Sequence, residues 1–181
     1  MNFAEQVLAV DRALVDVPHA FGGALALAYY AEPRATVDID LNVFVAANAP
    51  QEVDRVLVPL ADLGVTVDPG TRDRVSGDGQ VRLWWDHTAV DLFFSYDPFH
   101  DAADRAAHTQ PFLDSTIRVL SPEHLIVCKA TFNRPKDWID IVAMLTDGTS
   151  VDVAECLRWV GRIAGDSDPR YDRLAATLTT R

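Results

Sequence analysis

Residues 36–45, TVDIDLNVFV, constrain the fold more tightly than any other stretch, because apolar and polar positions alternate through them with period two. On a strand that alternation puts Val37, Ile39, Leu41, Val43 and Val45 on one face and Thr36, Asp38, Asp40 and Asn42 on the other. Aspartate is disfavoured in strands, and side chains two apart on one face stand roughly 6–7 Å from each other. Two like charges that close repel unless a cation or a shared proton relieves them. The pattern predicts a strand that packs on helices by its apolar face and offers a carboxylate pair to a cation by the other.

A third acid has the same setting. Asp91 stands alone in the apolar run TAVDLFF. If that strand neighbours residues 36–45, three carboxylates gather at one place. Such a cluster suits two divalent ions about 4 Å apart. Oxygen-only donors on a rigid strand suit Mg²⁺, which takes one or two carboxylates together with substrate phosphates. Nucleotidyl transfer needs this arrangement, one ion to activate an attacking hydroxyl and the other to steady the leaving pyrophosphate.

Elsewhere, helical spacing predicts helices over 2–16, 24–30, 51–63 and 98–107. Short strands are predicted over 65–67, 81–85, 88–95 and 115–120, the middle two as a hairpin across Asp86-His87. Residues 68–79, DPGTRDRVSGDG, read as a mobile polar loop. Ser121-Pro122 supplies an N-cap and a first-turn proline, and helices are predicted from there over 122–132, 136–146, 151–163 and 169–179. The expectation is an α+β fold, with a core over 1–120 and a helical part over 121–181 packed on it.

Composition narrows the function. The net charge of −11 argues against holding nucleic acid by bulk electrostatics, and two bound Mg²⁺ would still leave −7. An RNA-binding version needs a local patch, for which Arg72, Arg74 and Arg82 around the glycine-rich loop are the candidates. Cys128 and Cys156 form no C-x-x-C pair and read as reduced thiols, and the five histidines lack zinc-ligand spacing. Residues 1–17 carry Glu5, Asp11, Arg12 and Asp16, which does not fit a signal peptide, and no run approaches the roughly 20 apolar residues of a membrane span. Trp84 and Trp85 are expected on opposite faces of the hairpin, with at least one in the core.

GGALALAYYAEPRATVDIDLNVFV (22–45) resembles the opening motif of the nucleotidyltransferase (DNA polymerase β-like) superfamily, where a glycine pair begins a helix and D-x-D follows on a strand. Its G-G…R-x-T-x-D-x-D form is similar to the AbiEii/AbiGii toxin family, including the mycobacterial MenT group. VDLFF matches that family's third-carboxylate strand, and SPEHLIVCKATFNRPKDWIDIVAML its later K…R-x-K-D…D helical segment.

The resemblance implies a small mixed sheet flanked by helices and a cytoplasmic, Mg²⁺-dependent enzyme. It would move a nucleotide from an NTP to an RNA, plausibly the 3′ end of tRNA, and so block translation until an antitoxin restrains it. Gly22 and Gly23 would lend backbone N–H groups to the triphosphate at a helix N-terminus. Asp38, Asp40 and Asp91 would hold the metals, Asp91 near the acceptor hydroxyl. Lys129 and Lys136, the chain's only lysines, would offer charge to the phosphates, and Arg34 and Arg134 would grip them bidentately. Asp137 and Asp140, three apart on a helix, would orient these cations or contact base or ribose. Alternatively, Asp137 caps its helix and Asp140 pairs with an arginine. Thr36, placed on the face of Asp38, would lie in the active site, where a phosphate on its hydroxyl would repel the triphosphate. Two other readings stay open: a small-molecule nucleotidyltransferase of the aminoglycoside type, and a non-catalytic domain of the same fold.

Overall fold

The computed structural model describes residues 1–179. Its sheet has six strands: β1 (His19–Phe21), β2 (Asp38–Ala46), β3 (Gln80–Trp85), β4 (Thr88–Ser95), β5 (His108–Phe112) and β6 (Ser115–Val119). They lie in the order β3-β4-β2-β1-β6-β5. β2 runs parallel to β4 and antiparallel to β1, while β1 runs parallel to β6. The two flanks are antiparallel hairpins, β3–β4 and β5–β6. The mixed sheet follows from the connections, since residues between β2 and β4 make a crossover and two-residue turns make the hairpins.

Nine helices occur among the described residues. α1 (Phe3–Ala13), α2 (Gly23–Leu27), α3 (Pro50–Asp62), α4 (Thr71–Asp78) and α5 (Pro98–Ala106) precede residue 120. α6 (Pro122–Phe132), α7 (Pro135–Thr146), α8 (Val153–Ala164) and α9 (Pro169–Thr179) follow it. The caps match the sequence. Asn2 and Glu5 form a reciprocal capping box at α1, and the hydroxyl of Ser121 accepts the backbone N–H of His124 at α6.

The chain divides into two compact units, one of residues 1–25 and 35–120, the other of residues 26–34 and 121–181. The first holds the whole sheet. Ile39, Leu41, Val43, Val90, Leu92 and Phe94 are its central strands' buried residues. In the second, α6 to α9 bury Leu125, Ile126, Trp138, Ile141, Met144, Trp159 and Leu174. The segment 26–34 is tied into this unit by hydrogen bonds, the Thr149 hydroxyl donating to the Tyr30 carbonyl and the Glu32 N–H to Asp147 at 2.7 Å.

Four segments depart from the sequence expectation. Residues 71–78 are a helix, α4, where a mobile loop was expected. Thr71 and Val75 are completely buried, and Asp68 holds the entry by accepting from the Gly70 N–H at 2.8 Å and from Arg74 at 2.6 Å. β1 and β5 are additional strands, the first only three residues long and the second carrying Pro111 at the sheet's edge, where a missing N–H is tolerated. Residues 65–67 contribute a single bridge, Thr66 to Trp84.

Gly77 lies inside α4, and a methyl group there would meet nothing within 4 Å. Gly77→Ala should therefore raise the unfolding free energy by about 0.5–1 kcal/mol, the helix penalty of glycine relative to alanine. A rise in the urea midpoint at unchanged m-value is the expected result.

Candidate active site

Register builds the first unit's polar face. β2 pairs with β4 so that Asp40 stands beside Asp91 and Asp38 beside Ala89. β3 pairs with β4 so that Arg82 stands beside Asp91 and Trp84 beside Ala89. Side chains two apart share a face, so Asp38, Asp40, Asp91, Arg82 and Trp84 all project from the same side. The other side carries Ile39, Leu41, Val81, Leu83, Val90 and Leu92, every one of them buried. The three acidic residues thus lie in neighbouring positions of two central strands.

Arg82 lies directly on Asp91. Its Nε donates to Asp91 Oδ1 at 2.7 Å and its Nη2 to Oδ2 at 2.6 Å, a bidentate pair. Nη2 also stands 3.9 Å from Asp38 Oδ2. The hydrogen bond to Asp91 raises the guanidinium's pKa above its ordinary value, desolvation opposes the shift, and the charges of Asp91, Asp38 and Asp40 reinforce it. Among the described residues, no three His, Cys, Asp or Glu side chains converge as a ready metal cage. The donors still fit a hard divalent ion, being three carboxylates side by side on one sheet face. What differs from the expected triad is that both oxygens of Asp91 are already bonded to a guanidinium.

Gly22 and Gly23 press against this face. The Gly22 N–H donates to the Asp40 carbonyl at 2.9 Å, and a Cβ on Gly22 would stand 2.9 Å from Asn42 Nδ2. Gly23 has φ +55°, and a Cβ there would land on the Asp40 carboxylate. Gly23 is thus demanded by the close approach of Asp40, and Gly22 by that of Asn42. α2, which it opens, has only five residues, so its N-terminus is a weaker anion cradle than a longer helix would give. Thr36 precedes β2 instead of belonging to it. Its hydroxyl stands 3.3 Å from both the backbone N and O of Asp38, so the face shared with Asp38 does not extend to Thr36.

The second unit holds the late motif. Lys129, on α6, and Asp140, on α7, are both buried, with Nζ donating to Asp140 Oδ2 at 2.6 Å. Arg34 grips the same carboxylate with Nε to Oδ1 at 3.0 Å and Nη2 to Oδ2 at 2.9 Å. Burial would raise the pKa of Asp140, but the hydrogen bonds and charges of Arg34 and Lys129 outweigh it and hold the carboxyl below the ordinary range. Asp137 is completely buried and accepts from the Arg134 backbone N–H at 3.1 Å and from its guanidinium at 2.7 and 3.0 Å. Asp137 therefore caps α7, and Asp140 pairs with Arg34. Lys129 presents no open charge, because its ammonium is spent on Asp140. Lys136 is exposed, with no ion pair among the described residues.

The expected RNA patch does not assemble as free charge. Arg72 pairs with Asp54 at 2.8 Å, Arg74 with Asp68 and Arg82 with Asp91. Trp85 is buried while Trp84 is 49% exposed on the carboxylate face, which makes it a plane available to a ligand.

The family model described as "Nucleotidyl transferase AbiEii toxin, Type IV TA system" matches residues 7–178. The chain belongs to the AbiEii nucleotidyltransferase toxin family. Its fold is that of nucleotidyltransferases of known structure. The solution structure of the antibiotic-resistance factor ANT(2″)-Ia superposes with a TM-score of 0.61 at 15% identity, covering 97% of this chain and 96% of that one. The crystal structure of ANT(2″)-Ia with adenylyl-2″-tobramycin gives 0.59 at 14% identity, over 88% and 95%. An antigenic nucleotidyltransferase-like protein from Paracoccidioides brasiliensis gives 0.53 at 16% identity, over 95% and 84%. No protein of curated function matches the sequence. This AbiEii protein is a nucleotidyltransferase of a type IV toxin–antitoxin family, and no helix among its described residues is long and apolar enough to cross a membrane.

Removing one partner of a buried ion pair leaves the others uncompensated. Asp140→Asn should lower the unfolding free energy by about 3–5 kcal/mol at pH 7. The folded-state pKa of Asp140 lies below the unfolded value of 3.8. Its contribution is therefore complete above that value and is lost as the pH falls through the lower folded-state value. Urea unfolding across that range should show the two proteins converging in acid.

Proposed function

We propose that this AbiEii protein transfers a nucleoside monophosphate from an NTP to an RNA acceptor, the 3′ end of a tRNA, releasing pyrophosphate, with Mg²⁺ held by Asp38, Asp40 and Asp91. The observation that carries the reading is the register placing Asp40 beside Asp91, with Asp38 two residues away on the same face. When bound, a divalent ion there lowers the pKa of an attacking hydroxyl and neutralises charge on the phosphates. Asp91 is the group we assign to the acceptor's hydroxyl proton. Gly23, lacking a Cβ, lets the backbone at the start of α2 pack directly against the Asp40 carboxylate.

To nucleotide binding in the second unit we assign Arg34, Arg134 and Lys136, the cations of the K…R-x-K-D…D segment and its upstream partner. Lys129 acts there as a positioning residue, since its ammonium and the Arg34 guanidinium share the Asp140 carboxylate. Thr36 lies next to the acidic strand, and a phosphate on it would add negative charge beside Asp38 and oppose NTP binding. The cognate partner implied by a type IV system is an antitoxin, and the cytoplasm is the compartment where NTP and tRNA are met.

Charge separates the acceptors. The first unit carries seven of the 16 basic residues and 17 of the 27 acidic ones. That excess favours a second reading, in which a small cationic acceptor such as an aminoglycoside takes the nucleotide. The likeness to ANT(2″)-Ia, solved with an adenylylated tobramycin, points the same way. Against it stands the family, whose type IV toxin–antitoxin description has no evident use for drug modification.

Incubation with each α-³²P-labelled NTP, Mg²⁺ and either total bacterial RNA or an aminoglycoside mixture separates the readings. Label on tRNA-sized RNA, reduced at least about 10³-fold in Asp40→Asn, is the expected result. Label on the aminoglycosides alone would install the second reading. No transfer to either acceptor would overturn both.

A further inference from the structure

The carboxylate face is not bare. Among the charged side chains that β2, β3 and β4 place on this face only Arg82 is basic, and it sits on the edge strand opposite Asp91 with Nε and Nη2 both bonded to it. The next carboxylate within its reach is Asp38, whose Oδ2 stands 3.9 Å from Nη2. Asp91 is largely buried, with a side chain 15% exposed, whereas Arg82 is 51% exposed. With each Asp91 oxygen already accepting from the guanidinium, a divalent ion approaching the remaining lone pairs meets that positive charge at contact range until the arginine withdraws. The half-exposed guanidinium, on a long flexible stem on the sheet's edge strand, is the partner that moves at least cost.

We propose that Arg82 is the resident counter-cation of this face, which a divalent ion must displace from Asp91 in order to bind. The inference rests on the functional reading above for the identity of the ion, and on the geometry for everything else. Two roles follow. Without metal, Arg82 relieves the repulsion among Asp38, Asp40 and Asp91 and so stabilises the folded protein. With metal, its departure is part of the binding free energy, so Arg82 weakens the site's intrinsic affinity for the ion. The toxin would then hold metal firmly only when something else, such as the phosphates of an NTP, adds ligands or draws the guanidinium away.

The test measures Mn²⁺ alone, without NTP or acceptor, by the loss of its free electron paramagnetic resonance signal. A parallel measurement follows the rise in melting temperature that Mn²⁺ produces. Wild type, Arg82→Gln, Arg82→Lys and Asp91→Asn are compared as full chains. Arg82→Gln should bind Mn²⁺ about tenfold more tightly, as expected for removing one competing charge at contact range in a part-exposed site. It should also melt lower than wild type without metal and gain more from Mn²⁺. Arg82→Lys keeps the charge but loses the bidentate grip on Asp91, and its affinity should fall between those of wild type and Arg82→Gln.

Equal or weaker Mn²⁺ binding by Arg82→Gln, while Asp91→Asn loses binding, would overturn the counter-cation role and leave the metal site standing. Wild-type binding by Asp91→Asn would remove the metal from Asp91 and overturn this inference together with the functional reading. The melting temperatures in the absence of metal report whether each variant is folded before its affinity is compared.

Discussion

Repulsion among three carboxylates on one sheet face is the constraint around which the first unit is built. The register that sets Asp40 beside Asp91 is enforced from below, because a one-residue slip would turn Ile39, Leu41, Val90 and Leu92 toward the polar side. The fold's own hydrophobic pattern therefore fixes like charges side by side. Two features accommodate them: Arg82, which bonds Asp91 from the edge strand, and the glycine pair, which lets the backbone of residues 22–23 close against Asp40. Either an ion or an arginine must supply positive charge here, and replacement of the second by the first is the step we propose for metal binding.

The second unit solves the same electrostatic problem with opposite sign. Lys129 is nearly excluded from water, and only Asp140 makes that placement tolerable. Arg34 shares the carboxylate, so one acid orders two cations that lie 95 residues apart in sequence, one before the sheet's long β2 strand and one in α6. Asp137 does comparable work for Arg134 at the start of α7. In both pairs the acid is buried and the arginine partly exposed, an arrangement that holds a guanidinium in place.

Much of this was legible in the sequence, for identifiable physical reasons. The alternation over 36–45 gives β2 and the division of its faces. The Ser-Pro start of α6 and the periodic apolar residues after it give all four C-terminal helices. The hairpin was legible too, and its register carries a pairing that the composition of the preceding segment conceals. A two-residue turn at Asp86-His87 pairs Trp85 with Thr88, and three steps back that register puts Arg82 on Asp91. Grouping Arg82 with the arginines of the preceding glycine-rich segment hid this. β1 is too short to show a period, and β5 carries a proline and no alternation. α4 lacks an apolar stripe, since it buries little beyond Thr71 and Val75, and its stability comes from ion pairs and a turn that composition does not reveal. Nor does spacing disclose the burial of Lys129, because the partner that permits it sits on another helix.

The most direct test of a metal-holding face is to watch where an ion goes. Backbone amide resonances of the ¹⁵N-labelled chain, recorded with substoichiometric Mn²⁺, report proximity to the paramagnetic ion residue by residue. Selective broadening centred on residues 38–41 and 90–92, abolished in Asp40→Asn, is the predicted result. Broadening spread over the exposed acids of α3 and α5, with the β2 and β4 amides unaffected, would contradict a catalytic metal at Asp38, Asp40 and Asp91.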